Sequence, residues 1–187
     1  MVLWSTNYRI LKEGGNMPNI STNIKEKEYK KIIEYMCNNC QYFGFIISTY
    51  DYIENNKQTE EYKIYIKNIN QLMNKLKPYL IKTNNTPINF LQMGIKYERE
   101  EWEQDKYLYD ICIFKVTDKL KYILQETAKS LYDWKQPNLP EDIMFIKDGF
   151  IKLSIESNQN TGYIYCNSLD EYKMINKLGI QFSEDYN

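Results

Sequence analysis

Between Thr59 and Leu80 apolar side chains recur at the spacing of one helix face: Tyr62, Tyr65, Ile66, Ile69, Leu72, Met73, Leu76, Tyr79 and Leu80. A helix of this kind draws most of its stability from an apolar surface to lie against. Two stretches rich in β-branched and aromatic residues can supply that surface. They are "CQYFGFIIST", Cys40 to Thr49, and "YLYDICIFKV", Tyr107 to Val116. Pro78 marks the last turn of the helix or a kink.

The remaining elements follow from the same kind of pattern. Ser21, Thr22 or Asn23 is placed to cap a helix from near Ile24, with Tyr29, Ile32, Ile33 and Met36 as its stripe and Asn38-Asn39 as its end. "DYIENNKQ" and "KTNNTP" read as loops, and "INFLQMGIKYE" as a strand. Thr117 or Asp118 caps a helix carrying Leu120, Ile123, Leu124, Thr127 and Leu131. "IMFIKDGFIKLSIES" reads as a hairpin turning at Asp148-Gly149. "NQNTG" is a turn, "YIYC" a strand, and Ser168 with Glu171 a capping box that opens a helix through Lys177, with Gly179 as its left-handed cap. The expected fold class is α+β, a single domain with an antiparallel or mixed sheet and about four helices packed mainly on one face.

A chain of 187 residues fits one domain and can bury a core without disulfides or metal. Lys12-Glu13-Gly14-Gly15 can be encoded by a purine-rich run resembling a ribosome-binding site, and Met17 follows two codons later. Residues 1–16 therefore read as a leader or loose N-terminal segment, with a strand through Leu3–Leu11 as the alternative, and residues 17–187 as the α+β domain. No apolar run reaches membrane-spanning length and no signal-peptide core is present, so the expected location is the cytoplasm. Charge is nearly balanced, 24 basic against 25 acidic residues, and no basic stripe points to nucleic acid. Tyrosine is abundant, at 18 residues, which suits contact surfaces as well as an AT-rich coding bias.

The chain has no histidine, which removes the Ser–His–Asp and Cys–His arrangements and the usual general base near neutral pH. No Gly-rich phosphate loop occurs. Cys37-Asn38-Asn39-Cys40 is a C-x-x-C, but it follows a helix and precedes a strand, the reverse of the redox arrangement. A metal site would need Cys112 and Cys166 brought beside that pair. Buried structural thiols are the simpler reading, and no cofactor or metal is expected. The run Glu98, Glu100, Glu101, Glu103 and Asp105 encloses Trp102. An aromatic inside an acidic patch suits a basic protein partner, whereas a charge run alone is more often a solvated face.

One further stretch, "LYDWKQPNLPEDIMF", joins the third helix to the hairpin. Pro137 and Pro140 exclude helix and central strand there. Trp134 can cover the end of the preceding helix, Leu139 can plug the core, and Glu141 and Asp142 can receive backbone N–H groups. A stiff helix-to-strand corner explains every residue type. The alternative is a binding loop or cleft that uses the same acids and nearby tyrosines.

The stretch W-x-x-P-x-L-P-E-D at Trp134–Asp142, with "LKPYL" at Leu76–Leu80 and the final "LGIQF", resembles a family of small bacterial proteins. Some members are labelled stage III sporulation protein AH. The protein properly bearing that name is membrane-anchored, so no sporulation role is carried over. Relatives often hold Ser-His-Glu after the hairpin, where this chain reads "SIESNQ". The setting of such proteins in variable gene clusters implies toxin immunity or phage–host conflict. The combined expectation is a non-catalytic cytoplasmic protein that binds a protein partner, with Trp102, Glu100, Glu101, Trp134, Leu139, Glu141 and Asp142 as candidate contacts. The alternative is a small-ligand-binding protein or hydrolase at the Trp134–Asp142 loop.

Overall fold

The computed structural model describes residues 19–20, 22–48, 53–54, 57–84 and 109–183. The expected strand at 88–98, the acidic run and the 1–16 segment lie outside these residues.

Among the described residues, four helices and a six-stranded antiparallel sheet make a single α+β domain. Helix α1 spans Glu26–Asn39 and leads into β1, Tyr42–Ser48. A small ribbon of β2 (Ile53–Glu54) and β3 (Lys57–Gln58) precedes α2, Glu60–Leu76. Strands β4 (Leu80–Asn84) and β5 (Tyr109–Lys115) follow, then α3, Asp118–Thr127. Strands β6 (Glu141–Lys147), β7 (Phe150–Glu156) and β8 (Thr161–Ile164) form a meander before α4, Leu169–Lys177. In the sheet the order is β4-β5-β1-β6-β7-β8, and each neighbouring pair is antiparallel.

Strand alternation gives the sheet two apolar faces. Phe43, Phe45, Cys112, Phe114, Ile143, Phe145, Leu153 and Ile155 share one buried cluster with residues from all four helices: Ile32 and Ile33 of α1, Leu72 and Leu76 of α2, Leu120 and Leu124 of α3, Ile175 of α4. Ile46, Ile111, Ile113, Met144, Ile146 and Ile151 form a second cluster, to which no described helix contributes.

Several elements differ from expectation for local reasons. The N-cap of α1 is Lys25, without a side-chain bond, so Thr22 and Asn23 do not cap it, and Ser21 lies outside the described residues. Asn23 instead donates to Ser130 Oγ (3.2 Å), and Leu131 N–H donates to Ile24 O (3.0 Å), so the entry to α1 runs along the exit of α3. Helix α3 stops at Thr127, and Leu131 sits in a 3-10 turn closed by a capping box of Ser130 and Asp133. "LIKTN" is an edge strand, although its composition reads as loop, because Leu80–Asn84 pair with β5. Strand β8 begins two residues before "YIYC".

Other local signals hold. Thr59 and Thr117 cap α2 and α3 by accepting from Tyr62 N–H (3.1 Å) and Leu120 N–H (3.2 Å). Asp148 and Gly149 both have positive φ, 50° and 80°, as a tight β6–β7 turn requires. Gly179 caps α4 at φ +98°, and a Cβ there would lie 2.7 Å from Glu28 Cγ. Gly179→Ala is therefore expected to cost about 1–2 kcal/mol of stability in denaturant titration, the cost of a side chain in the left-handed region.

Candidate functional site

The corner between α3 and β6 holds four of the candidate residues: Trp134, Leu139, Glu141 and Asp142. Trp134 has no exposed surface. Its indole packs on Phe43 and Phe45, with centroids 5.6 and 6.3 Å apart, and Nε1 donates to Tyr29 Oη at 3.1 Å. Tyr29 Oη in turn donates to Leu124 O (2.9 Å), a carbonyl of α3. Burial drives the Tyr29 phenol well above its ordinary pKa, more than offsetting the Trp134 bond, so it remains a donor. Leu139 is partly buried against the main cluster. The Gln136–Pro137 peptide is cis, and Pro137 O accepts from Asn68 Nδ2 of α2 (3.2 Å). Trp134 and Leu139 thus serve the core and give little or no surface to a ligand.

The two acids behave differently. Glu141 is 6 % exposed and accepts from Gln136 Nε2 (3.2 Å) and Asn158 Nδ2 (3.1 Å). Asp142 has φ +53°, a conformation that aspartate tolerates better than most side chains. The cause is a bulge: Gly44 pairs with Met144 and Ile46 with Glu141, so Asp142 and Ile143 together oppose Phe45. The extra residue turns the Asp142 carboxyl toward the β7–β8 turn. There Oδ1 accepts Ser157 N–H (2.9 Å), while Asp142 N–H donates to Ser157 Oγ (3.1 Å). Glu156, also 6 % exposed, completes the group and accepts from Thr161 Oγ1 (3.3 Å).

Burial pushes the Asp142 carboxyl up to about 7. Glu141 and Glu156 add to the rise, and the Ser157 N–H and hydroxyl oppose it. Burial also raises Glu156. Asp142 as a whole keeps some exposure, yet its carboxyl faces inward to Ser157. The sign for stability follows directly. The folded state holds a proton that the unfolded chain releases near pH 4, so stability falls as pH rises from about 4 to about 7.

A second buried polar group was not evident from the sequence. Lys152 is 2 % exposed, and Nζ lies 2.6 Å from Glu171 Oε1, an ion pair rather than a well-aligned hydrogen bond. The Lys152 ammonium also lies over the Tyr165 ring at 5.6 Å. Glu171 sits in the first turn of α4 and accepts from Tyr35 Oη (2.7 Å) and from Asn167 N–H (2.7 Å). Ser168 Oγ accepts Glu171 N–H (3.2 Å), so half of the expected capping box forms, and the glutamate reaches Asn167 instead of Ser168. Burial opposes its charge, but these partners outweigh it and hold its pKa below the usual value.

The cysteines are free thiols; Cys40, Cys112 and Cys166 are buried and Cys37 is partly so. Burial pushes Cys37 and Cys40 up to about 12 and Cys166 up to about 11, so at neutral pH these three are protonated and poor nucleophiles. Among the described residues no group of three or more Cys, Asp and Glu is placed to hold a metal ion. No described helix is long and apolar enough to cross a membrane. Glu100, Glu101 and Trp102 lie outside the described residues. The chain matches no family model, no curated protein and no solved structure.

Proposed function

We propose that this chain is a non-catalytic, cytoplasmic interaction protein that binds a protein partner. Toxin neutralisation or a part in phage–host conflict is the more specific form, in line with the resemblance of the Trp134–Asp142 motif. The supporting observation is that the polar groups gathered by the fold bond to one another. Asp142 is clasped to Ser157, Glu141 lies between Gln136 and Asn158, and Lys152 is paired with Glu171. With no histidine in the chain and three thiols held protonated, these groups serve architecture. Under this reading the helices lie mainly on one face of the sheet. Contact falls to exposed aromatic and apolar side chains such as Tyr122, 63 % exposed, and to Trp102 within its acidic run.

The test is affinity capture from the native host followed by titration with the recovered partner. A Trp102→Ala, Glu100→Lys, Glu101→Lys variant is expected to melt like the wild type and to bind at least tenfold more weakly, about 1.4 kcal/mol, as loss of a contact anchor requires. Failure to recover a stoichiometric partner, or unchanged affinity in the variant, counts against the proposal.

A second reading, a small-ligand-binding protein or hydrolase, is favoured by Asp142 itself. A carboxyl held near 7 beside Glu141 can exchange a proton at neutral pH, as acid–base chemistry requires.

A further inference from the structure

The Asp142 bulge joins three features that a plain strand entry does not need: a left-handed backbone at a non-glycine residue, a reciprocal pair of bonds to a distant turn, and converging carboxylates. The groups around the Asp142 carboxyl are identifiable. Glu141 approaches on β6 and Glu156 from the end of β7, while the turn contributes Ser157 and Asn158. Gln136 of the corner binds Glu141, and Thr161 of β8 binds Glu156, which also acts on the Tyr163 phenol. From β1 the bulge faces Phe45 and Ile46, which are apolar. Every charge among these groups is negative.

We propose that the Asp142–Ser157 clasp is a pH-sensitive catch, closed when Asp142 carries a proton and loosened when it does not, with the β7–β8 turn at 157–160 as the moving part. A proton on Asp142 removes a charge that Glu141 and Glu156 repel and leaves the Ser157 N–H bond in place. Its loss puts an anion among Glu141 and Glu156 in a largely dry setting, where repulsion is weakly screened. Opening the turn draws Ser157 and Asn158 off Asp142 and Glu141 and lets water reach the acids. The open form presents an acidic surface at the corner, and the closed form hides it. This catch is independent of whether the protein binds a partner.

Amide exchange by NMR on the full chain, corrected for the intrinsic pH dependence of exchange, tests it. The Ser157 N–H reports the clasp, and the Phe145 N–H in the central sheet reports global unfolding. The open form has an ordinary aspartate and the closed form a raised one. Local opening at Ser157 is therefore expected to climb by up to about tenfold per pH unit from about pH 4, then level off above about 7. Asp142→Asn keeps an acceptor for Ser157 N–H and is expected to retain only the shallower slope that Glu156 supports. Glu156→Gln is expected to move the levelling-off to lower pH, and it serves as the test should the asparagine variant not fold. The proposal is overturned if Asp142→Asn keeps the full wild-type profile, if Glu156→Gln leaves the profile unmoved, or if Ser157 opens only together with Phe145 at every pH.

Discussion

Trp134→Ala is expected to destabilise the protein by about 3–5 kcal/mol, enough to unfold a domain of ordinary stability. Three losses coincide. The indole is wholly buried against Phe43 and Phe45, so its removal leaves a cavity in the centre of the main cluster. Tyr29 Oη loses the donor that satisfies its lone pair, inside a site that water does not reach. The corner also loses the side chain that ties it to α1, whose Tyr29 is in turn bonded to α3 through Leu124 O. Trp134→Phe separates these effects, since it retains most of the volume and lacks the N–H. It is expected to cost about 1–3 kcal/mol, the scale of one buried group left without its partner. Urea titration of both variants checks the order. A Trp134→Ala protein within about 1 kcal/mol of wild type would show that the corner does not depend on the indole.

The second large effect concerns the buried ion pair. Glu171→Ala leaves the buried Lys152 charge without its counterpart and is expected to cost about 3–5 kcal/mol, whereas Lys152→Ala leaves a partly exposed Glu171 that keeps Tyr35 and Asn167 and is expected to cost less. The two losses should differ in character. Without Glu171, the Asn167 N–H loses its acceptor and Tyr35 loses its own, so the first turn of α4 frays as well. Replacing both members with apolar residues, Lys152→Met with Glu171→Leu, is expected to recover part of the stability, because two charges no longer have to be taken out of water. A double variant no better than the worse single variant would show that the remaining Glu171 contacts matter more than the charge pairing.

Helix stripes, the Thr117 and Gly179 caps and the Asp148-Gly149 turn were legible because each rests on a local rule: a period, a capping side chain, a positive φ. The strand cores at β1, β5, β6 and β7 were legible from composition and alternation. What escaped reading depends on partners distant in sequence. Strand β4 has a loop-like composition and is a strand because β5 pairs with it. Asn23 looks like a helix cap, yet its side chain binds Ser130, 107 residues away. The polar groups were hidden by bulges. In "FIKLSIE" strict alternation sets Ile151 beside Leu153 and Ile155 and turns Lys152 away from them. The register instead slips between Phe145 and Ile146, which puts Ile151 in the second cluster and brings Lys152 to Glu171 of α4. The same device at β6 turns Asp142 toward Ser157. At the corner the residue types did indicate a stiff helix-to-strand turn, but not that Trp134 would be wholly buried nor which distant groups its acids would meet.

The strand order also governs the sequence of events during synthesis. Among the described strands β1 is the first of the large sheet to be made, yet it lies at the centre between β5 and β6, whose residues come far later. Its apolar side chains therefore have no sheet neighbours while the next sixty or so residues emerge from the ribosome, which at typical elongation rates lasts several seconds. Neighbours β6, β7 and β8 are joined by short turns and can pair as soon as they appear, whereas the β1–β5 pairing must close a long loop first. Early β1 is the part of the nascent chain most exposed to wrong pairing, and the part a chaperone would have most reason to shield.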